Sequence, residues 1–286
     1  MTEHRRRVVR TVFGLVSLAF VAIAFQTALG RYEGSVVPAW PAIGAATVLV
    51  GAGISFGARG WADLLGTRDR AVVSGFLLAQ LGKYVPGGFW QHAGQVGTAA
   101  AAVPVSKAVA AVPIQALVYV AAAGAVGAWY GLFAAGAAGW VRLATIASAV
   151  LVLLIWRRWM DLLLRLGGRP GAKARALLPP QRAITRSFTW SVGTLVASGA
   201  GFAALATAVG ATESFLGATA AFALAWAAGF LALPFPAGIG VREAVLTALV
   251  GPAAPVLAAA IAHRLVTIAA EAIAVGLSRL FLRPRA

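Results

Sequence analysis

Long apolar runs alternate along the chain with short stretches rich in arginine, proline and glycine. A helix needs about 20 apolar residues to cross a bilayer, and inside lipid every backbone polar group must be paired within its own segment. The run 11–30, TVFGLVSLAFVAIAFQTALG, has that length, follows Arg5, Arg6, Arg7 and Arg10, and is longer than the apolar core of a signal peptide. It predicts an anchor helix. Further full spans are predicted at 37–56, 108–133, 141–156, 187–209 and 253–280. Two other runs behave differently. The run 71–104 is interrupted by GKYVPGGFWQHAG (82–94), and the run 216–251 by ALPFPAGIGVRE (232–243).

The basic residues orient this pattern. Cytoplasmic flanks of membrane helices are enriched in Lys and Arg. The stretch 157–186 holds Arg157, Arg158, Arg165, Arg169, Lys173, Arg175, Arg182 and Arg186 against Asp161. It predicts a cytoplasmic linker joining a first half, 1–156, to a second, 187–286, of a single transmembrane domain spanning 1–286. With the linker and both termini cytoplasmic, each interrupted run has to enter and leave on one face. The first is a re-entrant helical hairpin turning at Val85, Pro86, Gly87 and Gly88; the second is a hairpin entering from the opposite face. The competing drawing runs each straight across as a kinked span, which proline permits when neighbours re-satisfy the freed backbone groups. The predicted fold is thus an all-α polytopic membrane protein of about six full spans plus two oppositely oriented re-entrant hairpins. Its span–hairpin–span unit at 37–133 recurs inverted at 187–280.

Composition agrees and excludes other classes. Of 286 residues, 60% are hydrophobic and 11% charged, with a mean hydropathy of +0.86, whereas soluble domains are roughly a quarter charged. The formal charge of +16 raises the possibility of nucleic acid. Yet of the 24 Lys and Arg, all but Arg31, Lys83, Lys107, Arg142, Arg242 and Arg264 fall in segments predicted to be cytoplasmic. The basicity therefore reads as topology, and no nucleic-acid partner is expected. There is no cysteine, and His4, His92 and His263 are scattered, with no metal-ligand cluster, nucleophile elbow or phosphate-binding loop. No cofactor, no metal and no enzyme activity are expected.

The interruptions carry the candidate chemistry. A half-helix ending inside the membrane leaves unpaired backbone groups at its tip. Pro86 and Pro236 cannot continue a helical ladder, while Gly87, Gly88, Gly238 and Gly240 permit reversal and close approach. Lys83 precedes the first turn and Arg242 follows the second, so two cations converge on the midplane. A charge there costs about 2.5–3.5 kcal/mol on insertion scales and faces a partner or a wet cavity. Glu243 beside Arg242 is one such partner, and Arg264 and Glu271, two turns apart on the last span, face the same side. Tyr84 and His92 flank the first turn. Each has a plainer reading: Lys83 snorkelling to the interface, Arg242 and Glu243 neutralising neighbouring groups, Arg264 and Glu271 as a structural pair, His92 as part of an interfacial anchor.

The segments LGKYVPGGFWQH and PFPAGIGVREAVL, followed by an Arg-containing last span, resemble the signature segments of the lysylphosphatidylglycerol synthase transmembrane, or flippase-like, family. Ala237 stands where that pattern leads one to expect glycine. The resemblance implies a plasma-membrane protein of the cell envelope that moves an anionic lipid, such as an aminoacylated phospholipid or a polyprenyl-phosphate-linked sugar, between leaflets. It implies a substrate site at Lys83, Tyr84, Pro86, Gly87, Gly88, Pro236, Gly238, Gly240, Arg242 and Glu243, to which the charge pattern adds His92, Arg264 and Glu271. With no nucleotide motif, transport would be driven by lipid gradients, by protons on Glu243, Glu271 or His263, or by downstream consumption of the lipid. Two rivals are a non-transporting scaffold that docks an envelope glycosyltransferase through 157–186, and an intramembrane transferase.

Overall fold

A computed structural model of the chain describes residues 38–84, 90–133, 177–212, 214–232, 240–251 and 253–281. All secondary structure among them is helical. In chain order the helices are α1 (Trp40–Leu65), α2 (Arg70–Ala79), a 3₁₀ segment (Gln80–Tyr84), α3 (Trp90–Ala99), α4 (Val105–Phe133), α5 (Gln181–Ala208), α6 (Phe215–Leu231), α7 (Val241–Leu249) and α8 (Ala253–Phe281). Within α1, α4, α5 and α8 lie four segments long and apolar enough to cross a membrane. The chain is therefore a membrane-embedded helical protein. The spans predicted at 11–30 and 141–156, and the linker core, lie outside the described residues.

Two boundaries differ from the sequence reading. α1 continues to Leu65 rather than stopping near 56, because Trp61, Leu64 and Leu65 are buried and hold its last turns against the core. It stops at Gly66, which adopts φ 63, and the Thr67 N–H returns to the Ala62 carbonyl at 3.1 Å. This is the left-handed helix ending that glycine supplies without a Cβ penalty. α5 begins at Gln181, so Arg182 and Arg186 sit on its first turns instead of in the linker.

α1 and α5 form the central pair and run antiparallel. Added Cβ atoms at Gly53, Gly60 and Gly201 would meet Thr194 and Ser198, Ser187 and Trp190, and Ala46 and Val50 respectively. These small residues let the two backbones approach closely, as membrane helix interfaces favour. The Thr194 hydroxyl uses that closeness to donate to the Gly53 carbonyl at 3.0 Å, and Trp190 Nε1 donates to Asp63 Oδ2 at 3.0 Å.

The short helices dock on opposite ends of this pair. One core cluster joins Ala58, Trp61 and Leu65 of α1 and Ile184 of α5 to Val72, Phe76 and Leu77 of α2, Ala99 of α3 and Ile114 of α4. Another joins Ala46 and Val50 at the other end of α1, and Phe202 and Leu205 of α5, to Phe222 of α6, Leu246 of α7 and Val256 and Val266 of α8. α2 and α3 lie side by side in antiparallel register: Gly75 faces Thr98, Ala79 faces Gly94, and Gly82 faces Gln91. α6 and α7 likewise run back along each other, with Arg242 against Phe222 and Gly251 against Ala211. Large apolar side chains, among them Trp40, Val48, Leu117 and Ile273, point outward, whereas Glu271 and His263 are buried. Apolar outside and ionisable inside is the distribution lipid imposes.

Candidate functional site

The site is organised by α8, which passes between the inner ends of both short-helix pairs. Arg264 and Glu271 lie on either side of its middle, seven residues or about 10 Å apart along the axis. Each is claimed by a different pair. Lys83, in the 3₁₀ segment after α2, is ion-paired through Nζ to Glu271 Oε1. Glu243, in the first turn of α7, takes Arg264 through Nε and Nη2, both 2.7 Å from its Oε1. The first pair thus offers α8 a cation and the second an anion.

Local structure sets both contacts. Gly82 precedes Lys83, and a Cβ on it would stand 2.7 Å from the backbone nitrogen of Gln91. Only glycine lets the returning α3 pass that close. The Gln91 side-chain Nε2 then donates to Gln80 Oε1 at 3.1 Å, tying the 3₁₀ segment to α3. At the other site Gly240 adopts φ 87, a conformation that L side chains rarely tolerate. Its N–H donates to Glu243 Oε2 at 2.7 Å. Glycine has no side chain to return the bond, so Glu243 alone closes the first turn of α7 and is thereby aimed at Arg264.

Arg242 faces inward from the same turn. Its guanidinium carbon lies 5.0 Å from the Phe222 ring centroid, and among the described residues it has no carboxylate at ion-pair distance. Arg242, Glu243, Arg264 and His263 line a small cavity with Phe202, Phe222, Leu246 and Ala260. Its volume, about 10 Å³, is room for roughly one water molecule. His263 donates Nε2–H to the Ser198 carbonyl of α5 at 3.0 Å and packs on Phe222 with centroids 4.7 Å apart. Tyr84 lies beside Glu271, under Lys83, whose Nζ is 5.2 Å from the phenol ring centroid. It is also within electrostatic reach of Arg242 and Arg264. The two halves of the chain therefore meet in one charged neighbourhood.

The predicted partners are re-sorted. Glu243 pairs with Arg264 instead of its neighbour Arg242, and Arg264 and Glu271 diverge to separate partners. His92 turns to Gln95 on its own helix, Nδ1 to Oε1 at 3.2 Å, and does not line the cavity. Pro86, Gly87, Gly88, Pro236 and Gly238 lie outside the described residues. Phe202 and Phe222 were not foreseen, because each sits in a uniformly apolar run, and the contact of His263 with the α5 backbone left no trace in the sequence. Among the described residues no cluster of three or more His, Cys, Asp or Glu is poised to hold a metal. Comparison with known proteins adds no relative: no family model, no curated protein and no solved structure matches the chain.

Proposed function

We propose that this protein moves an anionic lipid between the leaflets of the plasma membrane. The phosphate would be held near mid-membrane by Arg242 and Arg264, with Lys83 close by on Glu271, and the tails would remain in the bilayer. The observation that carries the reading is a charge imbalance. Among the described residues, Arg242 and Arg264 share one cavity with a single carboxylate, Glu243, while Lys83 and Glu271 neutralise each other nearby. Arg242 is half-buried, and a cation set among apolar side chains without a carboxylate of its own among the described residues is costly and calls for an anion. The antiparallel α1 and α5, with short-helix pairs docked at opposite ends, support an inverted repeat whose broken segments enter from opposite faces as re-entrant hairpins. In transporters of that plan the substrate site lies between the repeats. Their rocking about α8 would expose the cavity to each leaflet in turn. The likeness of the two interrupted segments to the flippase-like family agrees with this reading.

The test is reconstitution. Purified protein in liposomes with fluorescent phosphatidylglycerol should raise the rate at which inner-leaflet label becomes accessible to an external quencher. Lys83→Ala and Arg242→Ala should bring it back to the protein-free rate. A wild type no faster than empty liposomes for any anionic lipid, together with stoichiometric co-purification of a glycosyltransferase, would replace this reading with scaffolding.

A further inference from the structure

The geometry points to Glu243 as the residue that sets which class of phosphate the cavity accepts: a monoanionic phosphodiester in preference to a dianionic phosphomonoester. The inference rests on the proposed anionic-lipid site and concerns its charge. His263 spends its Nε2–H on the Ser198 carbonyl, and among the described residues the acidic and guanidinium groups that line the cavity are one carboxylate, Glu243, against two guanidiniums, Arg242 and Arg264. The excess is a single positive charge. Among the described residues the other ionisable groups nearby leave that count as it is, since Lys83 is paired with Glu271 and Tyr84 carries a phenol.

Glu243 also occupies the place an incoming anion needs. Its two oxygens already hold the ligands a phosphate would use, Arg264 on one and the Gly240 N–H on the other, each at 2.7 Å. With room for roughly one water, the cavity cannot take a phosphate while the carboxylate sits there. The phosphate has to displace Glu243 by a side-chain rotation, and because Glu243 stays anchored in the first turn of α7 its charge stays close. A phosphodiester balances the remaining excess. A phosphomonoester adds one negative charge too many beside a carboxylate, and like charges at short range in a medium of low dielectric repel strongly.

The experiment measures binding to the purified full chain in detergent, by calorimetry, of two short-chain lipids that differ by one methyl group: dihexanoyl phosphatidylmethanol, a diester, and dihexanoyl phosphatidic acid, a monoester. Dimethyl phosphate serves as a diester without tails. The wild type is expected to favour the diester lipid by at least tenfold. Glu243→Gln should lower that ratio at least tenfold, and Glu243→Asp should preserve it. Arg242→Gln leaves Glu243 capping α7, so it serves even where Glu243→Gln does not fold; it should weaken both lipids and the monoester more, raising the ratio. A ratio unmoved by either glutamine variant, or binding of neither lipid by the wild type, overturns the inference. Selective binding without translocation in liposomes upholds it and removes the transport reading instead. Dimethyl phosphate binding as tightly as phosphatidylmethanol upholds the charge rule and assigns the site to a free phosphodiester.

Discussion

At the scale of single residues, the site is a set of charges that hydrocarbon would not tolerate unpaired, and the pairings make strong predictions. Glu271 is 1% exposed and Lys83 27% exposed at the side chain. Removing one member of a buried pair leaves an uncompensated charge and costs about 3–5 kcal/mol, whereas replacing both with apolar or neutral groups is far milder. Lys83→Met should therefore lower the thermal unfolding midpoint in detergent markedly, and Lys83→Met with Glu271→Gln should recover most of the loss. Equal destabilisation by the single and the double variant would show that the contact is not energetically coupled. The charged members of the site were legible in the sequence because Lys83, Arg242, Glu243, Arg264 and Glu271 stand out within or beside apolar runs. Their partners were not. A sequence shows Arg242 next to Glu243, but adjacent positions on a helix point about 100° apart, and tertiary packing hands Glu243 to Arg264 instead.

At the scale of elements, the two broken segments use glycine for different physical reasons, and substitution separates them. At Gly82 the backbone of Gln91 and Trp90 lies within 2.9 Å of where a Cβ would be, while at Gly240 nothing lies within 4 Å but φ is 87. Gly82→Ala should push α2 and α3 apart and destabilise by about 1–3 kcal/mol, as overpacking does. Gly240→Ala, at φ 87 and ψ −46 where side chains are rarely found, should cost about 1–3 kcal/mol of backbone strain without a clash. Chemical denaturation of the purified variants checks both. Should Gly240→Ala prove as stable as the wild type, strain is not what selects glycine there. Interruption by Pro and Gly was enough to locate both broken segments, because those residues cannot continue a membrane helix. Helix ends were less legible: α1 runs on to Leu65 because Trp61, Leu64 and Leu65 find buried contacts, and charge counting has no access to contacts.

At the scale of the whole molecule, α1 and α5 run antiparallel, which places the α3–α4 turn at the Leu65 end of the central pair and the α5–α6 turn at its Ala46 end. The proposed inverted repeat puts those two ends on opposite faces of the membrane. The chain contains no cysteine, so single replacements report cleanly. Ala101→Cys, between α3 and α4, should be shielded from an impermeant maleimide added to intact cells, while Thr212→Cys, between α5 and α6, should react; labelling of both from one side would undo the inverted repeat. The central claim is that one anion cavity opens to each face in turn, and Ala260, which lines it and is only 4% exposed, gives the most direct access to that claim. Reaction of Ala260→Cys with an impermeant maleimide should be measured in right-side-out and in inverted vesicles, with and without added phosphatidylmethanol. The account predicts labelling from both sides, slowed from both by the lipid; labelling from one side only, or rates indifferent to the lipid, would contradict it.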